Sequence, residues 1–158
     1  YTTGKEKYKD VEKEIRKILS QSERLRKRFL SLVDLDVEAY NKVFNSRKGS
    51  PAIYPVQNYR AIRKEKEVLN GAYQKNLIRA TKVPLEVCSL SAAAYKLCPY
   101  LRKKANKYLS SDVYVAKELL KSCFKSGEFN VIINFPQIKD KKFISQTKRI
   151  IQALKKSL

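Results

Sequence analysis

The chain has 158 residues, and its 35 lysines and arginines against 15 aspartates and glutamates give a formal charge of +20 at pH 7. It contains no histidine, which excludes Ser-His-Asp and Cys-His nucleophile systems, HExxH metal sites and Cys2His2 zinc sites. Its three cysteines form no CxxC pair, so we expect reduced thiols in a cytoplasmic protein and no metal site.

Apolar residues in the first half of the chain recur at spacings of three and four, which predicts long amphipathic helices. The first stripe runs from Tyr8 to Phe44, and the Gly and Pro residues within 45–55 predict a loop. A second stripe begins at Tyr59. Because Pro84 interrupts it before it resumes toward Leu97, we expect either one kinked helix or two consecutive helices.

The second half of the chain predicts further helices. Residues 110–112, Ser-Ser-Asp, are capping residues for a helix that continues to Cys123. Residues 129–135 are rich in β-branched side chains, but a single strand would have no partner, so we favour a helix. A final stripe lies between residues 143 and 154. We therefore predict an all-α bundle of about five helices, forming one domain over residues 1–158.

The strong positive charge leaves several functions open. It attracts polyanions, which include nucleic acid, acidic membrane surfaces and substrates with several carboxylates. Alternatively, the lysines are simply solvated near helix ends. No RNP-like aromatic pattern, basic zipper or zinc finger accompanies the charge, so a nucleic-acid-binding helical module rests on charge alone. No stretch approaches the ~18 uncharged apolar residues of a membrane helix, so we expect no membrane segment.

One carboxylate lies on the apolar face of the first predicted helix. At about 100° of rotation per residue, Asp36 falls between Val33 and Tyr40, whereas Asp34 lies beyond the edge of that arc. A carboxylate on an apolar stripe is costly unless it is paired, hydrogen-bonded or functional. We expect Asp36 to be held out of water, where it could exchange protons near neutral pH. The alternatives are an ion pair with a neighbouring helix, or a helix break that Asp34 or Asp36 caps.

A second set of polar residues lies later in the chain. Asn130 and Asn134 are four residues apart, so on a helix they share a face among apolar neighbours. Buried amides need partners, which a ligand with hydrogen-bonding ring edges could provide. Equally, Ser111 and Asp112 could only cap a helix, and the asparagines could only tie adjacent helices together.

Four segments resemble, in the same order, motifs of a known family. Residues 2–8 resemble TxGKKKY, residues 32–41 resemble LVDxDxxAF(N), residues 80–85 resemble AxxVPL, and residues 105–134 resemble GNxxxxSDxxVAA…xNVxIN. The chain is thus similar, over nearly its whole length, to the cyclodeaminase domain of formiminotransferase-cyclodeaminase and to the methenyltetrahydrofolate cyclohydrolases. In that family a glycine-rich PGGGSxAA helix precedes the first motif, and this chain begins after it. Ser126 stands where the family has a glycine at a close helix approach.

The resemblance implies an all-helical homodimer with a folate-binding groove between helices. The second aspartate of LVDxD is the family's presumed proton donor and acceptor, and it corresponds to Asp36. The implied reaction is either ammonia release from 5-formiminotetrahydrofolate, which forms 5,10-methenyltetrahydrofolate, or hydrolysis of the latter to 10-formyltetrahydrofolate. Neither reaction implies a metal or a cofactor besides the folate substrate. A non-catalytic folate-binding or assembly domain is the alternative.

The resemblance also assigns candidate substrate-binding residues. The glutamate or polyglutamate tail of folate is a polyanion, which gives the basic surface a specific use. We expect Lys5 to be among the residues that hold this tail. The full set of candidate substrate-binding residues is Lys5, Ser111, Asp112, Asn130 and Asn134.

Overall fold

All regular structure in the described part of the chain is helical. A computed structural model of the protein describes residues 2–48 and 59–158, with side chains from 47 to 66 left undescribed. These residues contain five α-helices and three short 3-10 helices, which confirms the all-α prediction. The predicted loop lies mostly outside the described residues. The α-helices are α1 (Glu12–Lys48), α2 (Tyr59–Tyr95), α3 (Cys98–Lys104), α4 (Ser110–Ile132) and α5 (Lys141–Lys155).

Helix α2 lies at the centre of the fold, because it packs along α1 on one side and along α4 on the other. Helix α5 closes the end of the bundle against α2. The main core cluster lies between α2, α4 and α5, where each fully buried apolar side chain contributes about 1.5–3 kcal/mol. Its buried members are Leu77, Cys88, Phe124, Val131, Phe135, Ile138 and Ile151.

The structure decides two alternatives that the sequence left open, one at Pro84 and one at residues 129–135. Helix α2 is one continuous helix through Pro84, so the alternative of two consecutive helices is wrong. Helix α4 continues through Asn130 to Ile132, and a 3-10 helix at residues 135–137 follows it. The first part of the segment is therefore helical, as we favoured, and it continues α4 with Val131 buried and Phe129 and Ile132 exposed.

The close approach between α2 and α4 occurs at Gly127. A Cβ atom on this glycine would lie 2.9 Å from Cys88 Sγ and 3.0 Å from the Pro84 carbonyl oxygen. Ser126, where the resemblance led us to look, is exposed instead. The contact uses the neighbouring glycine because that residue faces α2.

The predicted cap of α4 is wrong. The helix begins at Ser110 with Leu109 as N-cap, and no side chain caps it. Asp112 lies in the first turn, where a carboxylate interacts favourably with the helix dipole. By contrast, α5 has a side-chain cap, since Asp140 Oδ1 accepts a hydrogen bond of 2.9 Å from the Phe143 amide. Within residues 2–48 and 59–158, none of the helices combines the length and apolarity needed to cross a membrane.

Candidate functional site

Asp36 is exposed on α1, so the expectation that it is buried in this chain is wrong. The apolar arc of α1 divides into two halves. Leu32 and Ala39 are buried, whereas Val33 and Val37 are 62% and 59% exposed. Asp36 lies with the exposed half, because that half borders an open groove rather than α2.

Neither structural explanation for Asp36 holds in the described residues. Helix α1 continues without a break from Glu12 to Lys48, so Asp36 does not cap a helix end. No ion pair or side-chain hydrogen bond of Asp36 occurs within the described parts of the chain. The nearby Glu38 differs, because it pairs with Lys42, whose hydrogen bond lowers the pKa of that carboxyl. Asp36 is thus a carboxylate that a ligand could use.

The first cavity beside Asp36 is a long groove of about 820 Å³ between α1, α2, α3 and α4. It follows α1 from Ser22 to Val37 and α4 from Ala116 to Asn130. At 1.5 Å per residue these stretches are about 23 Å and about 21 Å long. The walls are mostly apolar, and the residues that form them include Leu25, Phe29, Val33, Val87, Leu97 and Leu120.

The second cavity, of about 380 Å³, has polar and aromatic walls. The Tyr40 and Phe44 rings stack with centroids 6.3 Å apart and planes 15° apart. Tyr73 Oη donates a hydrogen bond of 2.6 Å to Gln137 Oε1. The polar residues that line this cavity are Asp36, Tyr40, Tyr73, Asn130, Asn134 and Gln137.

Asp36 and Asn130 line both cavities, so they stand where the apolar groove meets the polar pocket. Asn134 joins them through a hydrogen bond of 3.2 Å from its side-chain amide to the Asn130 carbonyl oxygen. Three of the six predicted site residues, Asp36, Asn130 and Asn134, therefore line the same cavity. A carboxylate flanked by amides can exchange protons and orient a polar ligand.

The other three predicted site residues lie at the opposite end of the bundle. Ser111 and Asp112 are exposed in the first turn of α4, and 18 residues of one helix, about 27 Å, separate Asp112 from Asn130. Lys5 is exposed in the N-terminal segment, which reaches this end because Thr2 Oγ1 accepts a 3.1 Å hydrogen bond from the Asn106 amide. Lys5, Ser111 and Asp112 line neither of the two cavities.

Sequence reasoning did not identify three residues of the second cavity. Tyr40 and Tyr73 stood in apolar helix stripes, where an aromatic side chain predicts core packing. Gln137 follows α4 in a short 3-10 helix and gave no periodic signal. Only the folded chain brings Tyr73 and Gln137, 64 residues apart, into hydrogen-bonding contact.

The described residues offer no cluster of three histidine, cysteine, aspartate or glutamate side chains that could hold a metal ion. This cavity pair has instead one carboxylate, two asparagines and aromatic rings. Such donors suit a ligand with a planar, hydrogen-bonding ring and an apolar extension.

A family model described as Formiminotransferase-cyclodeaminase matches residues 1–153. The chain belongs to the formiminotransferase-cyclodeaminase family. The resemblance stated from the four sequence motifs is thereby confirmed. The LVDxD stretch, on which that resemblance partly rests, contains the aspartate at the junction of the two cavities.

Known members of the family and related structures agree with this assignment. The methenyltetrahydrofolate cyclohydrolase of Methylorubrum extorquens is 28% identical over 153 residues, which are 97% of this chain and 69% of that protein. The formimidoyltransferase-cyclodeaminase of Sus scrofa is 26% identical over 156 residues, covering 97% of this chain and 27% of that protein. The crystal structure of formiminotetrahydrofolate cyclodeaminase from Thermotoga maritima has a TM-score of 0.83 at 26% identity, and the match covers 99% of this chain and 69% of that one.

Proposed function

We propose that this protein is a folate one-carbon enzyme that acts on 5-formiminotetrahydrofolate or 5,10-methenyltetrahydrofolate, with Asp36 as its acid–base group. The observation that carries the proposal is the position of Asp36 at the junction of the two cavities. In these substrates the reacting carbon is attached to N5 or bridges N5 and N10, between the pterin ring and the benzoyl ring. A proton-exchanging group at the junction is therefore suited to that carbon.

The two cavities match the two halves of such a substrate. Both volumes, about 820 Å³ and about 380 Å³, fall within the range of about 300–1,000 Å³ typical of small-molecule sites. The pterin ring has a polar edge and would occupy the smaller, polar cavity. The aminobenzoyl ring is apolar and would extend into the groove between α1 and α4.

In the cyclodeaminase reaction, Asp36 would relay one proton. N10 attacks the carbon of the protonated formimino group and forms the new C–N10 bond. Asp36 takes the proton from N10 and delivers it to the former formimino nitrogen. The bond from carbon to that nitrogen then breaks, and ammonia leaves the methenyl cation behind.

In the cyclohydrolase reaction, the same carboxylate would act first as a base. Water attacks the methenyl carbon and gives one proton to Asp36. Transfer of a proton to N5 then lets the C–N5 bond break, which leaves the formyl group on N10 and releases one proton overall. The carboxylate charge would also stabilise the cationic methenyl group before attack.

The test compares two aspartates of the same helix. Turnover of 5,10-methenyltetrahydrofolate is followed by its absorbance, and turnover of 5-formiminotetrahydrofolate by ammonia release. We expect Asp36→Asn to lower kcat by about 10²–10⁴, the usual contribution of a general acid–base group. Asp34→Asn is the matched control, because Asp34 is exposed and lines neither cavity.

Two outcomes would contradict the proposal. A wild-type rate in Asp36→Asn would remove this carboxylate from the mechanism. Binding of both folates without turnover by the wild-type protein would favour the non-catalytic folate-binding alternative. The relative rates with the two substrates decide between the cyclodeaminase and the cyclohydrolase.

A homodimer is part of the same proposal. Helix α4 exposes several large apolar side chains, which is the kind of surface that association covers. The large apolar or aromatic residues that α4 exposes are Tyr114, Val115, Leu119, Phe129 and Ile132. The roles of Lys5, Ser111 and Asp112 in folate binding, the lack of a cofactor and metal, the cytoplasmic location and the single-domain organisation stay predictions.

A further inference from the structure

Two polar side chains, Tyr73 and Gln137, lie next to each other in one wall of the second cavity. Helix α2 and the 3-10 helix at residues 135–137 form this wall. The geometry points to Tyr73 and Gln137 as the residues that select the ligand, by hydrogen bonding to the polar edge of its fused ring. This inference rests on the proposed function, because it takes the ring in this cavity to be a pterin. It assigns specificity to two residues outside the four family motifs.

The Gln137 side chain is held in one orientation. Tyr73 Oη donates to Gln137 Oε1 at 2.6 Å, which leaves the two Nε2 hydrogens as donors and the phenol oxygen as an acceptor. No other side-chain partner of Gln137 occurs in the described residues. Both groups line the cavity, so the pair offers a donor and an acceptor side by side.

The backbone that carries Gln137 is fixed separately. Gln74 Nε2 donates to the Gln137 carbonyl oxygen at 3.0 Å, and the Lys139 amide donates to Gln74 Oε1 at 2.9 Å. The Gln137 amide also donates to the Asn134 carbonyl oxygen at 3.1 Å. Gln74 does not line the cavity. It therefore anchors the same segment without being available to the ligand.

A pterin ring presents complementary groups along one edge. Its 4-oxo oxygen and N1 accept hydrogen bonds, and its N3 hydrogen and 2-amino group donate them. The Gln137 Nε2 hydrogens can donate to N1 while the Tyr73 oxygen accepts from the adjacent 2-amino group, so the pair reads this edge with two hydrogen bonds, as side chains read the edges of nucleobases. Across the cavity, the Tyr40 ring is 66% exposed and stacked on Phe44, so it offers a face on which the flat ring can lie.

The alternative is that the Tyr73–Gln137 hydrogen bond only tethers the 3-10 helix to α2. A tether would add to the stability of the fold and would not distinguish one ring from another. The two roles therefore differ in a measurable quantity, the ratio of affinities for two rings that differ in a single group on the polar edge.

The experiment measures this ratio by anaerobic titration calorimetry with tetrahydrofolate and its 2-desamino analogue. We expect the wild-type protein to bind tetrahydrofolate at least about ten-fold more tightly, since the analogue cannot donate a hydrogen bond to the Tyr73 oxygen. Tyr73→Phe should therefore bring the ratio close to one, and Gln137→Ala should lower it in part, because the phenol loses the partner that orients it. Gln74→Ala should keep the wild-type ratio, because it loosens the segment without changing the cavity wall.

Each other outcome overturns the inference in a different way. An unchanged ratio in Tyr73→Phe, or an equal loss of selectivity in Gln74→Ala, would show that the pair has only a structural role, without contradicting the proposed folate site. Failure of the wild-type protein to bind tetrahydrofolate would overturn the proposed function together with this inference. Thermal unfolding of each variant, measured in parallel, separates loss of the fold from loss of selectivity.

Discussion

Two apolar regions of this protein share helical periodicity and have opposite environments. One is the core between α2, α4 and α5, where Phe124 and Val131 are almost fully buried. The other is the open side of α1 and α4, which includes the groove and on which Val37 and Phe129 are more than half exposed. Both follow helical periodicity. The difference teaches that periodicity identifies side chains that avoid water without identifying what they contact.

The polar residues fall on the second region. Asp36 and Asn130 stand on the open side of α1 and α4, where the groove and the polar cavity meet. In the core, by contrast, every buried side-chain nitrogen and oxygen of the described residues has a hydrogen-bond partner. The core, which we call the closed region, therefore supplies stability. The open side of α1 and α4, which we call the open region, has the unpaired groups that a ligand needs.

The largest expected effect comes from one substitution made in each region. Phe124 and Phe129 lie five residues apart on α4, and they are 2% and 60% exposed. We expect Phe124→Ala to lower the free energy of unfolding by about 3–5 kcal/mol, because it leaves a cavity in the core. Phe129→Ala should change it by less than about 0.5 kcal/mol. Urea denaturation, at a concentration where light scattering shows monomers, measures both.

The same pair of variants tests the proposed homodimer. If the exposed face of α4 associates with a second copy, Phe129→Ala should raise the dissociation constant measured by light scattering across a dilution series. Equal losses of monomer stability in the two variants would contradict the division into a closed and an open region.

The fold was predictable from the sequence because its helices are long and strongly periodic. The terminal helix, α5, was expected between residues 143 and 154 and extends over Lys141–Lys155. Family resemblance directed attention to Asp36, and periodicity put it on an apolar arc. Its exposure was not predictable, since the arc of α1 is wider than the strip that α2 covers, and a sequence does not state which part stays open.

The rest of the site depends on contacts between distant segments. Gln137 contacts Tyr73 only because the chain turns after the end of α4 and residues 135–137 then pack against α2. No local pattern encodes that meeting. Ser111 and Asp112 show the opposite case, in which residues of one sequence motif lie far apart in space. The motif groups them with Asn130, but the fixed rise of α4 keeps them about 27 Å from it in one chain.

A second prediction sharpens the comparison with two glycines of opposite environment. A Cβ at Gly127 would be 2.9 Å from Cys88 Sγ, whereas a Cβ at Gly71 would meet nothing within 4 Å. Gly127→Ala should cost about 1–3 kcal/mol because the α2–α4 contact must open. Gly71→Ala should instead stabilise α2 by about 0.5–1 kcal/mol, through the higher helix propensity of alanine.

Chemical denaturation of the two variants gives the free energies directly. Opposite signs are the expected result. A stabilised or unchanged Gly127→Ala protein would mean that the two helices are not in tight contact at this point, and the closed region would then be looser than its burial indicates.

The smallest expected effect distinguishes two cysteines, one in each region. Burial raises the pKa of the Cys88 thiol from 9.0 to about 12. The unfolded chain therefore loses this proton before the folded protein does, so stability is fully present below pH 9 and falls as the pH rises from 9 toward 12. At pH 10 the loss relative to pH 7 is on the order of 1 kcal/mol.

Other groups also titrate in this range, so the measurement is the difference between variants. Cys123 is half-buried and lines the open groove. We expect the fall in urea midpoint between pH 8 and pH 10 to persist in Cys123→Ala and to be smaller in Cys88→Ala. The same fall in both variants would show that the Cys88 thiol ionises readily in the folded protein, which requires water to reach it. In that case the two apolar regions would differ in shape but not in their access to solvent.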